Sequence, residues 1–75
     1  MRNYYPYIII DSEEWTSQES MDIDAAYDEA TRMKAERNAE EAGIKVFTQE
    51  CVKIISWIDG KYWHGRPSYL YKIVI

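Results

Sequence analysis

The apolar residues of this chain open with an almost unbroken run, Tyr4-Tyr5-Pro6-Tyr7-Ile8-Ile9-Ile10. Aromatic and β-branched side chains throughout predict a strand, and the run Tyr7-Ile8-Ile9-Ile10, apolar without alternation, predicts burial on both faces. Pro6 places the first half of that strand at a sheet edge or at the strand start. Asp11 to Met21 is polar around one large residue, Trp15, and is expected to be a loop. Such a length is unusual for a connection in a small domain, so the loop should be functional or folded over the sheet.

From Asp22 to Ala42 the spacing becomes helical. Ile23, Ala26, Tyr27, Ala30 and Met33 recur at the interval that builds one apolar face. Asp22 or Asp24 can cap the first turn, and Asp28 and Glu29 lie early, where the helix dipole favours negative charge. Asp28 and Arg32 form an (i, i+4) pair of favourable sign, and Gly43 is a plausible stop.

The rest reads as strands: Ile44 to Phe47, bulging or extending near Thr48–Glu50; Cys51 to Ile58; Lys61 to His64; and Tyr69 to Ile75. Asp59-Gly60 is a two-residue hairpin signal, and Gly65-Arg66-Pro67-Ser68 is turn chemistry. A two-residue loop sets Ile58 against Lys61, Trp57 against Tyr62, Ser56 against Trp63 and Ile55 against His64. Ile55, Trp57, Tyr62 and His64 then share one face, and Ile54, Ser56, Ile58, Lys61 and Trp63 the other. The expected architecture is α+β: one domain over residues 1–75, in the order β-α-β-β-β with room for an extra short strand. One helix packs on a mostly antiparallel sheet.

Composition explains how so short a chain can hold a core. Of its 75 residues, 15% are aromatic, and each large ring can bury about 150–250 Å². Charge is unevenly placed. The net charge is −4, but residues 1–10 carry +1, residues 11–41 carry −8 and residues 42–75 carry +3. Between Asp11 and Glu29 stand eight carboxylates and no Lys or Arg: Asp11, Glu13, Glu14, Glu19, Asp22, Asp24, Asp28 and Glu29. Helix capping and dipole account for the last four. The others are surplus to helix chemistry, and they flank Trp15.

The remaining chemistry is sparse. Cys51 is the only cysteine, which excludes an intramolecular disulfide and fits a reducing cytosol. His64 is the only histidine, and the expected hairpin holds it too far along the strands from Cys51 for a nucleophilic pair. Two such ligands fall short of a zinc site, and Asp22-x-Asp24 lacks calcium-loop register. No catalytic residue, metal or cofactor is expected. No basic-then-apolar leader and no long apolar run is present, so a complete, soluble, cytoplasmic product is expected.

In size, acidity and element order the chain resembles small phage-encoded proteins, including anti-CRISPR inhibitors. The opening strand Tyr4–Ile10, the acid-capped helix from Asp22 and the hairpin Trp57-Ile58-Asp59-Gly60-Lys61-Tyr62-Trp63 carry that resemblance. It implies a stoichiometric inhibitor acting by protein–protein contact in the host cytoplasm. The reading that follows is an acidic protein-binding module that docks on a basic surface of a nucleic-acid-processing complex of CRISPR or restriction type. Its partner-binding residues would be Asp11, Glu13, Glu14, Trp15, Glu19, Asp28 and Glu29. Two alternatives stand beside it. One is a self-associating protein, a homodimer through the aromatic C-terminal strands. The other is a single-stranded nucleic-acid binder using Tyr62, Trp63, Tyr69 and Tyr71 with Lys61, Arg66 and Lys72, which the overall acidity disfavours.

Overall fold

Tyr5–Ile10 forms strand β1, which lies inside the sheet with a neighbour on each side; its apolar run does not alternate because successive side chains, Tyr7 on one face and Ile8 on the other, are both buried. The computed structural model describes residues 3–47, 52–66 and 68–75. In chain order the elements are β1, β2 (Glu13–Ser17), α1 (Ile23–Arg37), β3 (Glu41–Phe47), β4 (Ile54–Ile58), β5 (Tyr62–Gly65) and β6 (Tyr69–Val74). All strands join one antiparallel sheet ordered β4-β5-β2-β1-β3-β6. The expected α+β class, single helix and antiparallel sheet are present. One strand is added ahead of the helix.

That strand corrects the expected loop. Asp11 and Ser12 take positive φ of 51° and 68°, turning the chain in two residues so that Glu13 pairs with Ile10. Positive φ without glycine is uncommon, so nothing in the sequence announced this hairpin. Pro6 sits in an interior strand because of where its missing N–H points. The Ile9 carbonyl accepts from Glu40 on the β3 side, so by alternation the nitrogen of Pro6 faces the β2 side. There the pairing lapses between Tyr7↔Thr16 and the lone Tyr4↔Met21 bridge.

The helix is shorter than its pattern suggested. Asn38 adopts the left-handed conformation (φ 54°, ψ 47°), and the amides of Asn38 and Ala39 donate to the carbonyls of Ala35 and Lys34. Asn38, not Gly43, therefore stops it. Gly43 lies within β3, where a Cβ would fall onto the Ile73 carbonyl oxygen and within 2.7 Å of Tyr7 Cε1. The helix packs on β1 and β3 through Ala26, Ala30 and Met33. The small Ala side chains let it lie close to the sheet, while Ile23 and Tyr27, expected on the buried face, are 45% and 52% exposed.

The β4–β5 hairpin turns at Asp59 and Gly60, both at positive φ as expected, but Lys61 is an extra loop residue. Ile58 pairs with Tyr62, Trp57 with Trp63 and Ser56 with His64. That one-residue slip exchanges faces on the returning strand: Tyr62 and His64 join Ile58, and Trp63 joins Trp57. Strand β4 is described from Ile54; Cys51 and the expected bulge near Thr48–Glu50 lie outside the described residues, as does Pro67.

The two faces of the sheet are closed differently. On the helix side Ile8, Ala30, Met33, Ala42 and Tyr62 form the core, with Trp15, Ile10, Ala39, Ile58 and Ile75 packed against it. On the other side the sheet curls over itself. The rings of Phe47 on β3 and Trp63 on β5 approach to 6.1 Å although β1 and β2 lie between their strands. Tyr5 meets Phe47 edge-on at 4.9 Å, and Tyr7 is fully buried in the same face.

Candidate interaction surface

The eight carboxylates between Asp11 and Glu29 do not form one patch. Strand β2 runs through the block and separates Asp11 from Glu19 by its own length, roughly 17 Å. Asp11 and Glu13 lie at the β1–β2 turn, beside the helix C-terminus, where the Ser12 amide donates to Glu40 Oε1 at 3.1 Å. Glu19, Asp22 and Asp24 lie at the opposite end, where the helix begins next to the Tyr4↔Met21 bridge.

Three of the seven sequence-nominated residues serve the fold. Glu14 reaches across the curled face to ion-pair with Lys45, and its second oxygen lies 4.0 Å from Lys72 Nζ. Trp15 is half-buried on the helix side, and its ring lies 5.2 Å from the imidazole of His64. The Glu29 carboxylate receives the Arg32 guanidinium at 2.7 Å and the Tyr62 hydroxyl at 3.1 Å. Burial pushes that carboxyl up, but the bonds from Arg32 and Tyr62 outweigh it and hold it below the ordinary glutamate value. Burial and the adjacent Glu29 raise the Tyr62 hydroxyl well above its usual range. Arg32 thus pairs with Glu29 and Glu36 rather than with Asp28.

The other four are exposed: Asp11, Glu13, Glu19 and Asp28. Glu13 lies 3.3 Å from His64 Nε2, whose Nδ1 faces the Glu14 carbonyl at 3.0 Å. Asp22 occupies the N-cap position with extended backbone, yet its carboxylate makes no capping hydrogen bond, contrary to the capping role expected of it. Among the described residues, Glu19, Asp22, Asp24 and Asp28 carry no ion pair or side-chain hydrogen bond at their carboxylates. Asp22, Asp24 and Asp28 are next or near in the chain to Ile23 and Tyr27, two exposed residues one helical turn apart on the flank of the buried face of α1. The sequence placed these two residues in the core, so the mixed acidic and apolar surface went unseen.

Sequence reasoning also missed the polar cluster inside the curled face. Lys45 is fully buried, with its ammonium over the rings of Tyr7 and Tyr69 at 5.0 and 5.1 Å. Burial lowers its pKa below the ordinary 10.5, against the opposing pull of Glu14. The Tyr7 hydroxyl donates to Glu41 at 2.8 Å, and Lys72 lies 3.4 Å from the same oxygen. Burial and that bond raise Tyr7 far above its usual value, while the Tyr7 bond, opposed by burial and aided by Lys72, lowers Glu41. The alternation of Lys45 between Ile44 and Val46 was the available signal, but it reads equally as an exposed strand residue.

The aromatic C-terminal residues do not make a single stacking platform. Tyr62 and Trp63 are buried, and Lys72 is held by Glu14 and Glu41. Exposed apolar side chains gather instead on the two edge strands, Ile54, Ile55 and Trp57 on β4 and Tyr69, Leu70, Tyr71, Ile73 and Val74 on β6. Among the described residues no helix is long and apolar enough to cross a membrane. Comparison of the chain with protein-family models, with curated proteins and with solved structures finds no match to any of them.

Proposed function

We propose that this protein is a binding module that works by contact rather than by chemistry, presenting the start of α1 to a partner with a basic surface. The observation that carries the reading is the pair Ile23 and Tyr27, exposed on the first turns of α1 in the same stretch of chain as Glu19, Asp22, Asp24 and Asp28, whose carboxylates have no partner among the described residues. The helix dipole favours acids at this end of α1, but it does not account for two exposed apolar side chains beside them. The carboxylates supply a field that steers a basic partner, and the two apolar side chains supply contact area beside it. A groove built for the nucleic-acid backbone has the matching charge, because Lys and Arg dominate such sites. A phage-type inhibitor of a CRISPR or restriction complex in the host cytoplasm is the form of this function that size and acidity favour.

The test is capture of a partner from bacterial lysate on the immobilised protein, followed by affinity measurement with the purified partner across a salt series. Affinity should fall at least about tenfold from low to high salt, and the combined change E19Q/D22N/D24N/D28N should remove most of that dependence. Tyr27→Ser should weaken binding at every salt concentration. An affinity indifferent to salt, or a loss that follows D11N/E13Q instead, would overturn the assignment of this surface.

A further inference from the structure

Strand β6 closes one end of the sheet and, among the described residues, is hydrogen-bonded on one side only, to β3. The Ile75 amide donates to the Ala42 carbonyl at 3.0 Å. By the two-residue alternation of a strand, the main-chain groups of Ile73 and Tyr71 also face β3, whereas those of Lys72 and Val74 face outward. The register shift opposite Val46 and Phe47 ends this regular edge at Leu70.

Edge strands are ordinarily protected by outward charge, proline or a covering element. Among the described residues, strand β6 has none of these. Its one charged residue, Lys72, turns into the curled face toward Glu14 and Glu41. The helix packs on β1 and β3, and the apolar side chains of β6 stand exposed from 38% at Ile73 to 64% at Leu70. The opposite edge differs. Strand β4 is irregular between Ile54 and Ser56 and is bracketed by the exposed charges of Lys53 and Asp59.

We infer that β6 is a self-pairing edge: two copies of this chain join β6 to β6, antiparallel about a two-fold axis, into one continuous sheet. The chemistry of the strand selects the register. With Ile73 opposite its own copy, Lys72 of one chain lies across from Val74 of the other, and these outward-facing residues exchange both main-chain hydrogen bonds. The register centred on Lys72 would instead oppose like charges. On the helix side the pairing brings Ile73 and Tyr71 of the two chains together and removes from water the apolar surface that α1 leaves bare. A two-fold contact closes, whereas β6 pairing with β4 of another copy would leave a free edge at each end and grow into a filament. None of the acidic residues around Ile23 and Tyr27 takes part, so the two surfaces fail or stand separately.

Sedimentation equilibrium of the whole chain from micromolar to millimolar concentration should show mass rising from 8.9 kDa to twice that value and no further. Over the same range, exchange of the Lys72 and Val74 amides should slow at least about tenfold, while amides bonded to β3 stay as they were. Val74→Pro removes an outward N–H without touching the β3 ladder, and Ile73→Lys places like charges at the axis. Each should return the protein to a monomer with its far-ultraviolet circular dichroism kept. The amide readout stands even if a variant fails to fold. A monomer at every concentration, open-ended growth, unprotected Lys72 and Val74 amides, or a dimer lost through Trp57→Ser while Val74→Pro leaves it intact would each overturn the inference.

Discussion

The two faces of this sheet bury comparable rings by opposite means. The helix side is closed by a separate element whose contact residues are small, Ala26 and Ala30 with Met33, and it is apolar throughout its centre. The curled side is closed by the sheet itself and holds a buried charge, Lys45, among Tyr7, Tyr69, Glu14, Glu41 and Lys72. The first arrangement depends on shape and the second on pairing. In a thin core a curled sheet shields its concave side without a second layer, and a long lysine can fill that space provided its ammonium finds a carboxylate.

The difference can be broken most directly at the Lys45–Glu14 pair. Glu14→Gln leaves a buried ammonium without its counter-charge and should cost about 3 kcal/mol in urea unfolding. Lys45→Met keeps the stem and removes the charge, and should change stability by less than about 1 kcal/mol. Equal effects of the two changes would show that the curled face does not rest on the pair. On the helix side Met33→Ala should cost about 2–3 kcal/mol whatever the pH, through lost burial and a cavity.

Next in size is Gly43→Ala, at about 2 kcal/mol by thermal unfolding. The new methyl meets the Ile73 carbonyl and the Tyr7 ring, so β6 or Tyr7 must move. Since Ile73 is also the centre of the inferred dimer, this variant should weaken self-association as well.

Smallest is the effect of pH, which separates the faces without mutating the core. Glu41 and Glu29 sit below their ordinary value of 4.5 in the folded state, so their contribution is complete above that pH. It is lost as the pH falls through the lowered folded values. Glu41→Gln should lower neutral-pH stability by about 1 kcal/mol and flatten the acid limb. On the alkaline side Lys45 acts in the opposite sense. Its folded value lies below 10.5, so the unfolded chain binds more protons in that interval and stability rises with pH. Above pH 10 the raised Tyr7 and Tyr62 hydroxyls reverse the trend, because only the unfolded tyrosines ionise there. The rise before pH 10 should vanish in Lys45→Met.

Much of the architecture could be read from local pattern. The run within Tyr4–Ile10 reads as a buried strand because both of its faces are covered, and the helix from Asp22 reads from its spacing. The turn at Asp59-Gly60 reads from residues that tolerate positive φ. What escaped has local reasons too. Strand β2 is written largely in Glu, Thr and Ser: its Glu14 serves a distant lysine, Thr16 is buried, and buried Ser17 exchanges hydrogen bonds with the backbone of Glu19. The extra loop residue Lys61 is invisible to a two-residue turn signal, yet it decides which face Trp63 occupies. For the candidate surface, the acids were legible as a block, but their division between two ends of the molecule was not.

The sequence by itself determined the class of the fold, the start of the helix, one hairpin turn and the surplus of negative charge before residue 30, because these depend on neighbours along the chain. Only the tertiary structure decided which acids remain free, that Ile23 and Tyr27 face solvent, that Lys45 is buried against Glu14 and that β6 is a bare edge. Each of those follows from the curl of the sheet and the placement of the helix over β1 and β3, and both are set by contacts between residues far apart in the chain.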